Sequence, residues 1–231
     1  KDMPTTNFAE LLELVALVAK DLRVRFSTSH PKDMTNDVLE TIQKHHNICN
    51  YIHLPVQSGS SKILKKMNRG YTREWYLERI ESIKRIIPGC AISTDIITGF
   101  CDESEEDHLE TLSLMEKVEF DFSYMFFYSE RPKTLAQRKY DDNIPTLTKK
   151  RRLQEVIDLQ REHSIKQNQS SVGKIMEVLV EGPSKKSPLE FSGRNSENCK
   201  VVFPKENAQK GDYVNVIIED FTAATLKGKI V

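Results

Sequence analysis

"HLPVQSGSSKILKKMNRGYT", His53 to Thr72, decides how the chain reads. An apolar run ends in a polar Gln-Ser-Gly-Ser turn. A helical stretch follows in which Lys62, Lys65, Lys66, Arg69 and Arg73 are the five cations among thirteen residues from Ser61, with no acid. Strand, turn and helix in that order form the repeating unit of a parallel sheet, whose crossovers need a dozen or more residues. The unit recurs outward. "VRFSTSHP" precedes a helix predicted from about Asn36 to His46, and "REWYLERIESIKRIIPG" leads into the strand "AISTDIITGF". "ESEEDHLETLSLMEKV" opens as a helix should, with Ser104 as cap and acids in the first turn, and "FSYMFFYS" is a fourth strand. Upstream, Phe8, Leu11, Leu12, Val15, Ala19 and Leu22 recur at helical spacing.

Four strands alternating with helices predict an α/β fold with the helices outside. The turns "STSHP", "QSGS", "TGFCDES" and "YSERP" then gather on one face, where parallel α/β folds place ligands. From Thr146 the pattern changes to a basic helix with Leu153, Val156 and Ile157 on one face. After Gly173 come short β-like runs, "KIMEVLVEG", "CKVVFP" and "DYVNVIIEDF". The expected organisation is an α/β part over 1–145, a connecting helix over 146–171 and a small all-β barrel or sandwich over 172–231.

Composition bounds function. In 231 residues, 34 Lys and Arg balance 34 Asp and Glu, so nucleic-acid binding has to come from local patches. No apolar run approaches the roughly 20 residues of a membrane span, and no signal peptide opens the chain. A cytoplasmic protein is expected, and "KDMPTTNF" reads as a cut end. Cys49, Cys90, Cys101 and Cys199 lie 41, 11 and 98 positions apart, neither metal-ligand spacing nor a disulfide framework. No metal-ligating set, paired carboxylates, Ser-His-Asp or Cys-His constellation stands out, so no catalytic residue is assigned within this stretch.

"RFSTSHPKDM", "HLPVQSGSSKILKKMNRGYTRE", "STDIITGFCDESEED" and "YMFFYSERPKTLA", in one order at βα spacing, closely resemble the radical S-adenosylmethionine methylthiotransferases. "SGRNSENCKVVFP" and "GDYVNVIIEDFTAATLKGKIV" resemble the TRAM domain, the RNA-binding module of that family. The "STSHP" turn and "YMFFYSERP" strand resemble the branch that converts N6-isopentenyladenosine, beside the tRNA anticodon, to its 2-methylthio form. The branch acting on threonylcarbamoyladenosine differs after the first of these strands, and the branch modifying a ribosomal protein differs in both stretches. In one departure, the family's usual Gly after Arg-Pro is Lys133. In another, the C-x-x-x-C-x-x-C motif that holds the catalytic 4Fe-4S cluster is missing, as is the domain carrying a second cluster. The chain is therefore expected to be the later part of a TIM-like barrel plus a TRAM domain, and inactive alone. A non-catalytic RNA-binding module is the rival reading.

The resemblance implies tRNA methylthiolation by the whole protein, with S-adenosylmethionine, two 4Fe-4S clusters, a reductant protein and a sulfur source. It implies cofactor contacts at Ser27, Thr28, Ser29 and Gln57, with Ile97 and Gly99 giving close backbone approach. The anticodon stem-loop is expected on Lys66 and Arg69, which suit phosphates, and on Tyr128 and Arg131, since arginine can stack on a base or pair with phosphate. Arg194, Asn198 and Lys200 are the expected contacts of the TRAM part.

Overall fold

The computed structural model describes residues 6–27 and 30–231. Thr28 and Ser29, expected at the cofactor, lie outside the described residues. Helix α1 (Phe8–Ala16) begins with a reciprocal cap: Asn7 accepts from the Glu10 amide, and the Glu10 carboxylate accepts from that of Asn7. It stops at Ala16, short of the spacing that ran to Leu22. The strand expected in "VRFSTSHP" is only a single parallel bridge, Val24 to Ile48. Its neighbour turns there, with the Ile48 amide bonded back to the His45 carbonyl, so one residue alone finds a backbone partner.

Beyond α2 (Asn36–Lys44) the order is β1 (Tyr51–His53), α3 (Ser61–Lys66), α4 (Arg73–Ile86), β2 (Ala91–Thr98), α5 (Glu105–Val118) and β3 (Phe122–Phe127). The strands form one parallel sheet, β1-β2-β3, of three strands where four were expected. Alternate residues point to opposite faces. Ile52, Ile92, Thr94, Ile96 and Ser123 are buried under the helices, against Tyr76, Ile80, Ile83, Leu114, Met115 and Phe120. The other face carries Tyr51, His53, Ser93 and Asp95 beside Phe122, Tyr124 and Phe126, the last three 48–55% exposed.

After a short α6 (Leu135–Lys139), helix α7 (Thr146–Gln169) packs across β3. Its buried stripe is Lys149, Arg152, Val156, Gln160, His163 and Ser164, largely polar, while Leu153 and Ile157 are only half-buried. Most of these groups have partners. Gln160 accepts from Ser123 Oγ at 2.5 Å and donates to the Phe120 carbonyl at 2.8 Å, and Ser164 donates to the Asp121 carbonyl. The helix is therefore registered on the sheet by hydrogen bonds, which specify position more sharply than an apolar stripe would.

The C-terminal unit is a closed barrel of β4 (Ile175–Pro183), β5 (Glu190–Arg194), β6 (Lys200–Pro204), β7 (Tyr213–Thr222) and β8 (Thr225–Ile230), in the order β4-β5-β6-β8-β7. Val178, Val180, Phe191, Val201, Phe203, Val216, Ile218 and Leu226 fill it. The sequence runs showed three of these strands. The other two, β5 and β8, close the barrel and remove its edges. Among the described residues no helix is long and apolar enough to cross a membrane.

Candidate functional site

The opening stretch is held from beneath. Tyr76, wholly buried, donates to the Leu54 carbonyl at 2.7 Å, and Tyr71 reaches the carbonyls of Pro55 and Val56. Thr94 Oγ1 donates to the Leu54 carbonyl and accepts from the Val56 amide, both at 2.9 Å. The chain then turns at Gln57, whose φ is +73° although it is not glycine. That conformation costs about 1–2 kcal/mol. It persists because the Gln57 amide and carbonyl are both bonded to β2, at Asp95 and Ile97.

The result is a cleft of about 590 Å³ at the C-terminal ends of β1, β2 and β3. Gln57, Ile97, Arg69, Tyr128 and Arg131, which the sequence divided between two ligands, all line it, together with Asp95 and the aromatic rings of Phe126 and Phe127. Tyr128 stacks edge-on against Phe100 at 4.8 Å, and burial foremost pushes its hydroxyl up to about 12. Arg131 is exposed on the rim. Two residues on, Lys133 has φ +69°, a left-handed backbone that glycine adopts most readily. Ser27 is exposed and does not line the cleft.

The cations of the opening stretch find their acids forty residues downstream. Lys62 pairs with Asp107 at 2.6 Å, Lys66 pairs with Asp102, and Arg73 donates to the Gly59 and Glu110 carbonyls and to Ser113. Burial alone would raise the Asp107 carboxyl, but bonds from Lys62, Ser60 and Ser104 outweigh it and hold it at about 2. Lys66 is thus already engaged by a carboxylate. Among the described residues Lys65 and Arg69 have no such partner, and Arg69 Nε is buried without an acceptor.

The Ile97-Gly99-Glu103 spacing ties the β2 turn to α7. Glu103, 3% exposed, accepts from the Gly99 amide at 2.6 Å and from Arg152 at 2.8 Å; burial raises its carboxyl even so. Gly99 has φ +69°, and a Cβ there would stand 2.4 Å from Lys149 Cγ. Lys149 and Arg152, unassigned from the sequence, are spaced three apart in "KKRR". That spacing was the one available sign that both could reach the same turn.

Arg194, Asn198 and Lys200 are elsewhere. With Tyr51, Phe122 and Tyr124 they border a second cavity of about 270 Å³ at the opposite, N-terminal ends of the strands. The two approach each other along the open face of the sheet, where Tyr124 of the second is the register partner of Asp95 of the first. Arg194 pairs with Glu181 at 2.5 Å, and Asn198 accepts from Arg25.

A family model described as the radical SAM superfamily matches residues 3–115, and one for the TRAM domain matches residues 169–231. Residues 3–115 thus belong to the radical SAM superfamily, and residues 169–231 to a TRAM domain. A tRNA-2-methylthio-N(6)-dimethylallyladenosine synthase of Amoebophilus asiaticus is 60% identical over 100% of the chain and 49% of that protein. The proteins of that name from Christiangramia forsetii and Bacteroides fragilis are 60% and 54% identical over 97% and 96% of the chain, and 47% and 49% of their own lengths. The chain thus spans about half the length of the curated relatives it matches. The coproporphyrinogen III oxidase of Escherichia coli, a radical SAM enzyme, shares the fold, with TM-score 0.55 and 16% identity over 82% of this chain and 50% of that one.

Radical SAM proteins use S-adenosylmethionine and 4Fe-4S clusters. Among the described residues no three of His, Cys, Asp and Glu come together to hold a metal, and Cys49, Cys90 and Cys101 are buried apart from one another in sequence. These residues do not fit a cluster. The strand-end cleft does fit S-adenosylmethionine: rings for an adenine, Asp95 for hydroxyls or an ammonium, Arg69 or Arg131 for a carboxylate.

Proposed function

We propose that the whole protein methylthiolates C2 of N6-dimethylallyladenosine (the isopentenyl compound under its other name) beside the anticodon of tRNA. Identity of 60% along the entire chain to the Amoebophilus asiaticus protein of that name carries this reading. In it, Gln57, Asp95 and Ile97 take S-adenosylmethionine, with Phe126 and Phe127 excluding water from it. Gly99 supports their backbone from behind. Arg69, Tyr128 and Arg131 meet the RNA at the rim. Arg194 and Lys200 grip it from the TRAM barrel. S-Adenosylmethionine, when bound, supplies the methyl group and the radical source; a sulfur source and a reductant protein supply the rest, in the cytoplasm where tRNA is. The chain alone is inactive in this reading, because among the described residues no group comes together to hold the cluster.

The test is anaerobic turnover by the whole reconstituted protein. Reductant, S-adenosylmethionine and a stem-loop bearing N6-dimethylallyladenosine should give an RNA heavier by one methylthio group less a hydrogen. Turnover of a threonylcarbamoyladenosine loop or a ribosomal protein instead would move the chain to another branch. Binding of the stem-loop without turnover, by protein containing neither iron nor sulfide, would leave an RNA-binding module.

A further inference from the structure

Arg23 and Arg25 flank the buried Val24, and in extended backbone both project away from it on the opposite side. None of the roles above uses them. The Arg23 side chain is 8% exposed; its Nη1 donates to the Arg194 carbonyl at 2.8 Å and its Nη2 to Glu177 Oε1 at 2.7 Å. The same guanidinium lies 4.7 Å above the Tyr213 ring. Arg25 donates through Nη2 to the Asn195 carbonyl at 2.6 Å and through Nη1 to Asn198 Oδ1. Tyr213 returns a bond to the Asp21 carbonyl, and the Asn50 amide donates to Ser196 Oγ, both at 2.9 Å.

The receiving loop is stiff before it is gripped. Asn195, 1% exposed, accepts from the Cys199 amide at 2.8 Å, and Asn198 closes the turn at φ +66°. Covalently, the TRAM barrel is joined to the sheet only through the end of α7, where Asn168 donates to the Thr222 carbonyl. A single helix end is a hinge unless the far side is also tied. The two arginines tie that side.

We propose that Arg23 and Arg25 are positioning residues, a clasp that locks the TRAM barrel against the N-terminal ends of the sheet and so fixes the distance between RNA held by the barrel and the strand-end cleft. The RNA consequence rests on the tRNA reading above; the clasp itself does not. Arginine is required at both positions, since each guanidinium spans two acceptors that an ammonium cannot reach together. A barrel freed on this side keeps its own RNA contacts but presents them at a lower effective concentration to the cleft.

The experiment compares the whole protein with Arg23→Ala/Arg25→Ala, Arg23→Lys/Arg25→Lys and Asn198→Gly, the last keeping the left-handed turn while removing one acceptor. Thermal unfolding and small-angle scattering read domain coupling. A titration of anticodon stem-loop reads its consequence. The alanine and lysine pairs should split one transition into two, enlarge the particle and weaken stem-loop binding about tenfold or more, raising KM with kcat held. Asn198→Gly should move in the same direction by less, and it decides the matter if the double variants do not fold. One transition, unchanged scattering and wild-type affinity in the variants would overturn the clasp. If wild-type protein binds no stem-loop, the tRNA reading fails, while the transitions and scattering still decide the clasp.

Discussion

Gly99→Ala measures how tightly the strand-end turn is held from behind. Two costs add. At φ +69° any residue with a Cβ loses about 1 kcal/mol or more relative to glycine. The new Cβ also stands 2.4 Å from Lys149 Cγ, more than 1 Å inside an ordinary contact. That atom is mid-stem in a side chain only 5% exposed, anchored at its far end to Asp142 and to the Tyr128 carbonyl. Yielding means breaking a largely buried ion pair, for which losing one partner costs about 3–5 kcal/mol in full. Partial relaxation brings the sum to about 2–4 kcal/mol. Guanidinium unfolding followed at Trp75 and by backbone dichroism reads this difference, provided the two probes coincide. Lys149→Ala is destabilising by itself but removes the obstruction, so the double variant should recover at least about 1 kcal/mol relative to additivity. Strict additivity, or a Gly99→Ala loss below about 0.5 kcal/mol, would refute the packing account and leave ligand approach as the reason for glycine.

Lys133→Gly should stabilise the protein by about 1 kcal/mol, since it relieves the left-handed backbone at φ +69°; a melting temperature that falls would show that the lysine side chain matters more than its backbone. Arg69→Ala should lower the salt dependence of stem-loop binding by about one unit of log-log slope, and Lys66→Ala, whose ammonium is paired with Asp102, by clearly less; equal slopes would count against the cleft as an RNA site. Asp107 sits at about 2 in the fold against 3.8 when free, so its stabilisation is present above about pH 4 and lost as pH falls from there toward 2. Asp107→Asn should flatten stability against pH in that window, and an unchanged acid limb in chemical unfolding would assign it to other carboxylates.

Local signals made much of the α/β part legible. Ser104 caps α5 through the Asp107 amide, and the acids after it mark the helix start. What failed is non-local. Nothing in "VRFSTSHP" reveals that its neighbour turns at Ile48, and "EFSGR" lacks a run of β-formers although β4 and β6 pair with it on both sides as β5. The polar stripe of α7 looks like a solvated face until Glu103, Ser123 and Asp142 are brought to it by the fold. Gln57, Ile97 and Tyr128 could be read as neighbours because parallel strands deliver their ends to one place, whereas Ser27 follows no strand and does not line the cleft. The unpaired look of Lys62 and Lys66 was an artefact of reading a window in which their acids, some forty positions away, do not occur.

The most direct measurement is nucleoside mass spectrometry of bulk tRNA from a strain lacking its own adenosine methylthiotransferases, complemented with the whole protein. The account predicts that 2-methylthio-N6-dimethylallyladenosine appears and N6-dimethylallyladenosine falls, and that Gln57→Ala and Arg69→Ala abolish or sharply reduce the change. Unaltered N6-dimethylallyladenosine, with a methylthio group found instead on threonylcarbamoyladenosine, would contradict it.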